Sequence, residues 1–435
     1  MRVIQFASSL KFRDLALMLF LAILVIPINN AVAQDEAGEY TEFRGRILDS
    51  KSKDPVVFAT LLIEGTNIST VSNIEGNYLF KVPNEHLDGN LEVSLLGYET
   101  YITPISGLSK NREEIYLKVE ISQLSEISVT RFADANALVR AVFRKRADNT
   151  LPQTARMTAF YRETIKRRNR NVSLTEAVVN LYKQPSTNNI KDVVALDKAR
   201  KSTDYRRLDT VALKLQGGPF STLYLDIMKY PEYIFTEDTY DLYDFDLSSS
   251  TAINDRPVYV VDFKQKDFVL DPLYYGQLFI DTETLALTSA IYQLKLTDKK
   301  AASALFVKRK PGDIVVTPTQ AAYRVDYREK DGRWFYGYGS VELTFKINKK
   351  RKLFNSVYTL NSEMAVTDWE LITNDQIVRP KDRLRPSVVI TDAISGFSDP
   401  DFWGPYNVIE PQKSIENAID KIQRQMRRNK GKSKP

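Results

Sequence analysis

Four aspartates fall close together, Asp238, Asp241, Asp244 and Asp246. Two carboxylates facing each other would make the acid and base of a hydrolase. A calcium loop would need its acidic ligands on alternate residues, then a Gly and a closing Glu. Here the spacing is wrong and the Gly is absent. The residues between, Tyr240, Leu242, Phe245 and Leu247, read instead as an extended segment with an acidic outer side. The one histidine, His86, lies in the polar run Pro83–Gly89, and there is no cysteine. A single imidazole cannot build a zinc site of two His and a Glu, and no Gly-x-Ser-x-Gly turn accompanies it. Gln216-Gly217-Gly218-Pro219-Phe220 lacks the Lys-Ser/Thr ending of a phosphate loop. The sequence therefore offers no catalytic, cofactor-binding or metal-ligating residues. What remains is aromatic: Tyr274, Tyr275, Trp334 and Tyr336 are the candidate lining of a ligand trough, if they do not simply pack a core.

These residues sit on strands. Val258–Phe263, Gly276–Asp281, Ala290–Leu294, Ala322–Tyr327, Trp334–Tyr338, Val341–Ile347 and Phe354–Leu360 are rich in β-branched and aromatic residues. Between them come turn signals: Asp281-Thr282-Glu283-Thr284, Glu329–Arg333 and Asn348–Lys352. Short turns between consecutive strands predict an antiparallel meander over 151–410. The strand–turn–strand order from Phe279 to Ile291 is similar to the curved half-barrel of periplasmic lipoprotein carriers. A helix is predicted over 133–148, with Asp134 as N-cap and an apolar stripe of Leu138, Val139, Val142 and Phe143. A curved sheet must fill its concave face or leave it open, and Thr222–Tyr230 is the segment best suited to plug it.

The N-terminal region reads differently. From Phe43 to Thr100 apolar residues alternate in short runs, punctuated by Asp49-Ser50, Gly65-Thr66-Asn67, Glu75-Gly76-Asn77 and Leu96-Gly97-Tyr98. About seven strands in roughly 80 residues predict a small antiparallel sandwich over 40–120. The runs Gly45–Asp49, Pro55–Thr60, Asn73–Tyr78 and Leu91–Thr100 resemble the carboxypeptidase-regulatory-like domain, a transthyretin-like sandwich common in exported proteins of Bacteroidota. The resemblance implies a fold and not a peptidase. Leu124–Thr130 resembles the segment that follows this module in TonB-dependent receptors. About 300 residues are too few for the plug and large barrel those receptors need, so 121–150 is read as a linker strand and helix. Phe160-Tyr161-Arg162-Glu163 and the ending Phe402-Trp403-Gly404-Pro405-Tyr406-Asn407-Val408-Ile409-Glu410-Pro411 resemble a second, uncharacterised β-rich module found behind this sandwich.

Arg2, Lys11 and Arg13 precede an apolar run ending at Ile28, and Ala31-Val32-Ala33 follows it. This predicts a signal peptide over 1–33, cleaved after Ala33, and a periplasmic or outer-membrane-associated protein. With no cysteine the product is not a lipoprotein. The chain carries +6 overall, yet Asp420–Pro435 alone holds seven cations against one carboxylate. The basicity thus belongs to the terminal helix and tail, 411–435, suited to touch an anionic membrane surface. Nucleic acid is not expected as a partner. The expectation is a mainly β, exported, non-catalytic binding or scaffolding protein of the cell envelope, meeting a protein or lipid-like ligand. The alternative is a carboxylate-based hydrolase.

Overall fold

The computed structural model describes residues 40–120, 134–168, 170–203, 217–236, 238–248, 251–253, 256–306, 312–350, 355–388, 390 and 400–412. The segments predicted as a signal peptide (1–33) and as a linker strand (121–132), and most of the terminal basic segment, lie outside the described residues. Thr41–Pro435 clusters as one compact unit.

Seven strands build the N-terminal sandwich: β1 (Tyr40–Asp49), β2 (Thr60–Ile63), β3 (Ser69–Val71), β4 (Asn77–Pro83), β5 (Asn90–Ser94), β6 (Tyr101–Pro104) and β7 (Glu113–Leu117). One sheet has the order β4-β1-β7, the other β3-β2-β5-β6. Period-two residues Phe43, Ile47, Leu61, Ile63, Tyr78, Phe80, Leu91 and Val93 fill the space between the sheets. One detail departs from the antiparallel expectation: β1 and β7 pair in parallel, Gly45 with Glu113 through Asp49 with Leu117. The chain crosses from the second sheet back to the first before β7, and that crossover sets the direction.

The remainder is a large, curved, open antiparallel sheet. Its strands are β8 (Ala155–Arg167), β9 (Arg170–Lys183), β10 (Val193–Thr203), β11 (Tyr243–Leu247), β12 (Thr251–Ile253), β13 (Arg256–Gln265), β14 (Tyr274–Asp281), β15 (Leu287–Leu294), β16 (Ile314–Lys330), β17 (Arg333–Lys349) and β18 (Ser356–Leu371). The order is β10-β9-β8-β18-β17-β16-β15-β14-β13-β11, with β12 beside β13. From β13 to β18 it is the meander expected. The pair predicted as Trp334–Tyr338 and Val341–Ile347 is a single strand, β17. Its register shifts between Tyr338 and Tyr336 opposite Asp326-Tyr327, a bulge that lets one strand continue through Gly337 and Gly339. The β16–β17 turn is Asp331-Gly332 with φ of 53° and 74°, the two positive values a tight hairpin requires.

Because β10 and β11 sit at opposite edges, the chain between them must cross the sheet. The described part of that connection, from residue 217 on, lies over the concave face. A short helix, Pro219–Leu223, and the turns after it place Phe220, Leu223, Leu225, Ile227, Met228, Tyr230 and Phe235 in the main core. Each such buried side chain contributes about 1.5–3 kcal/mol. Helix Ala135–Arg144 closes another part of that face, with Asp134 accepting from Asn136 N as expected. It ends at Arg144, and a separate turn, Arg146–Asn149, completes the segment predicted as one helix.

Candidate functional site

Trp334 and Tyr336 both point to the concave side of β17 and are buried. Together with Met157, Lys183, Asp226, Met228, Lys229 and Tyr327 they line a cleft of about 30 Å³. That volume admits a water molecule or two and is far below the few hundred Å³ of a small-molecule site. Lys183, the last residue of β9, donates to Asp192 and, at 2.7 Å, to Asp226. Burial opposes its charge, but the two carboxylates outweigh burial and hold its pKa above the ordinary value. Asp226 Oδ1 accepts from the Tyr327 hydroxyl at 3.0 Å. Lys229 donates to Pro185 O, Asn188 O and Asn188 Oδ1 at 2.7–2.9 Å, and burial lowers its pKa. The Tyr336 hydroxyl donates to Thr222 O at 3.2 Å, in space left by Gly339. The network thus spends its charges on fixing the crossing segment to β9, β16 and β17.

The other two aromatic candidates lie elsewhere. Tyr274 is half-buried in a cluster with Tyr292 and Tyr323, centroids 5.1–5.8 Å apart. Tyr275, next along β14, faces the other side, is exposed, and donates to Gln293 Oε1 at 3.0 Å. The four residues therefore do not line one trough. Of the aspartates, Asp238, Asp241 and Asp246 are exposed and Asp244 is half-buried. Asp241 pairs with Arg140 at 3.2 Å. The buried phase of this segment is Tyr240, Tyr243 and Phe245; Leu242 is half-buried and Leu247 exposed, so the alternation predicted there is out of register. His86 lies in the turn Asn84–His86, 3.6 Å from Glu85.

A second polar cluster went unread in the sequence. Arg162 on β8 is 2 % exposed. Its Nε donates to Glu176 at 2.8 Å and its Nη1 to Glu363 at 3.2 Å, while Arg200 donates to Glu176 at 2.6 Å. Burial would raise the Glu176 pKa, but the two guanidinium groups outweigh it and lower it. At Glu363 burial prevails over Arg162 and its pKa rises. Arg162 Nη2 also donates to Ile409 O at 2.5 Å. Trp403 packs edge-on against Phe160 at 5.4 Å and lies under Arg200 at 5.0 Å. The two motifs flagged in the sequence are thus partners: the Phe160–Glu163 run holds the 402–411 run as a strap. The strap in turn holds the sandwich. The Asn407 side chain accepts from Lys81 N at 2.7 Å and donates to Lys81 O at 3.1 Å, and Glu410 O accepts from Asn73 at 2.9 Å.

On the opposite face of β8, Glu163 is buried with no cation beside it among the described residues. Its carboxylate accepts from the Tyr161 hydroxyl at 2.9 Å, and Tyr161 lies 3.4 Å from Ser362 Oγ. Burial pushes its pKa up to about 7, against the smaller opposing effect of the Tyr161 hydrogen bond. The signal for these buried charges was the run Phe160–Ile165, where apolar and charged residues fail to alternate, as in a strand covered on both faces.

Residues 43–129 match the family model of the CarboxypepD_reg-like domain. No curated protein matches the chain. Two solved structures are similar in part. A DUF1329 family protein from Desulfovibrio piger is 12% identical, covering 56% of this chain and 95% of that one, at a TM-score of 0.22. A protein from Bacteroides fragilis, described as membrane-associated and of unknown function, is 8% identical, covering 76% and 98%, at a TM-score of 0.15. At those scores neither bears on function.

Proposed function

We propose that the chain is an exported, non-catalytic binding or scaffolding protein of the cell envelope, which meets its partner on an outer surface. The observation that carries this reading is the occupied concave face. The one hollow a curved sheet offers is filled by Phe220–Phe235, tied down by Lys183, Asp226 and Tyr327. The strap supports the same reading, since it couples sandwich and sheet into one body suited to hold partners at fixed spacing. Export rests on residues 1–33 and on the kind of protein that carries the matched domain. The terminal basic segment is assigned a peripheral contact with an anionic membrane surface. Among the described residues no helix is long and apolar enough to cross a membrane.

N-terminal sequencing of the secreted protein tests export: it should begin at Gln34, and retention of Met1 refutes the assignment. Titration of the folded chain with a fluorescent fatty acid tests the occupied face. Saturable binding that quenches tryptophan emission would overturn it. The hydrolase reading draws on one observation, the uncharged-leaning Glu163 beside Tyr161. It needs a second carboxylate facing Glu163. Turnover of an ester or glycoside that is lost in Glu163→Gln would establish it.

A further inference from the structure

Antiparallel alternation gathers several connections at one end of the large sheet: the β8–β9 turn, the β13–β14 hairpin tip, the β15–β16 connection and the end of β17. The hairpin tip carries Phe268 and Leu270, 69% and 89% exposed, the two most exposed large apolar side chains among the described residues. Single exposed apolar residues are ordinary. These two are held outward by a built loop. Buried Gln265 donates from Nε2 to Val269 O at 2.8 Å and to Asp271 O at 3.2 Å, and its Oε1 accepts from Leu273 N at 2.8 Å. Lys266 N donates to Leu242 O at 2.9 Å, tying the loop to its neighbour. Leu305 and Val315, 57% and 48% exposed, lie at the same end.

Cations outnumber carboxylates across this end of the sheet. Arg168, Arg170, Lys264, Lys299, Lys300 and Lys350 are all exposed there. The carboxylates at this end are Asp238, Asp241 (paired with Arg140), Asp244 (in register with Lys264), Asp267, Asp271, Asp298 and Asp313 (paired with Lys349 at 3.9 Å). With Lys166, Arg167, Lys266, Lys295, Lys346 and Lys349 also present, cations outnumber them among the described residues. The opposite end pairs its charges, Arg156 with Glu370 and Arg256 with Asp281, Glu283 and Glu329.

We infer that this end of the sheet docks on an anionic lipid bilayer, with Phe268 and Leu270 entering the headgroup–acyl boundary and the surrounding cations meeting lipid phosphates. Interfacial segments insert apolar side chains to about 5–10 Å, a depth two side chains on a hairpin tip can reach. The surface is separate from the terminal basic segment. The inference rests on the envelope reading for access to a membrane, but that reading stands or falls on the secreted N-terminus and not on lipid.

Flotation of the full-length chain with phosphatidylcholine vesicles, with and without about 30% phosphatidylglycerol, tests it. The chain should float with the anionic vesicles, and less so as salt screens the charges. Phe268→Ser/Leu270→Ser should weaken binding by at least about tenfold, and Lys299→Glu/Lys300→Glu by about tenfold. All these side chains are exposed, so urea midpoints should match the wild type. A wild type that ignores anionic vesicles overturns the assignment. So does a folded double variant that binds as wild type, because the N-terminal or terminal basic segment would then carry the contact. Equal binding to neutral vesicles overturns the electrostatic half.

Discussion

Replacing Glu163 with Gln tests the reading of the concave-face interior. Glu163 keeps its partner in the variant, because the Gln side-chain oxygen can accept from Tyr161 as the carboxylate does. What is lost is titration. Burial, its largest influence, raises the carboxyl from its ordinary 4.5 to about 7. A folded-state pKa above the unfolded one means that the folded protein holds a proton the unfolded chain has released. Stability is therefore fully present below the unfolded pKa and is lost as pH climbs to the folded one. The interval corresponds to about 3 kcal/mol. The assay is urea unfolding of both proteins at about pH 4 and about pH 8.5, comparing the difference between them rather than either alone, so that all other titrations cancel. The wild type should lose about 3 kcal/mol relative to Glu163→Gln across that range. Parallel pH profiles, differing by a constant, would refute the buried uncharged carboxyl and with it the acid role on which the hydrolase reading depends.

Three further substitutions probe the two networks and the crossing segment. Arg162→Met should cost about 3–5 kcal/mol in urea unfolding, because buried Glu176 keeps Arg200 alone and buried Glu363 loses its guanidinium partner. Lys183→Met should cost a similar amount, about 3–5 kcal/mol, by leaving Asp192 and Asp226 buried without the ammonium that pairs them. Gly339→Ala places a Cβ 2.4 Å from the Tyr336 hydroxyl and 3.1 Å from Thr222 O. It should lower stability by about 1–3 kcal/mol and redshift tryptophan emission if the crossing segment loosens over Trp334. An unchanged midpoint in any of the three would contradict the corresponding contact.

Sequence alone determined the local chemistry of this fold. Alternation from Phe43 to Val93 requires strands with one buried face, and two sheets follow because neither can bury its face alone. Asp331-Gly332 demands a hairpin since both residues take positive φ, and Asp134 caps a helix by the reach of its own side chain. Such features depend on residues a few positions apart. The aromatic trough was legible only as a list: Tyr274 and Tyr275 are neighbours, and period two sends them to opposite faces whatever else happens. Tertiary structure decided the rest. Arg162 and Ile409 are 247 positions apart, and a lone Arg in a strand reads as solvent-facing until two glutamates from β9 and β18 and a strap from the far end of the chain close over it. The filling of the concave face is of the same kind. The apolar content of Thr222–Tyr230 marked it as a candidate plug, but no pattern within it gives its path across the sheet. The crossing follows from β10 and β11 standing at opposite edges, which is a property of strand order and therefore of contacts between residues far apart in the chain.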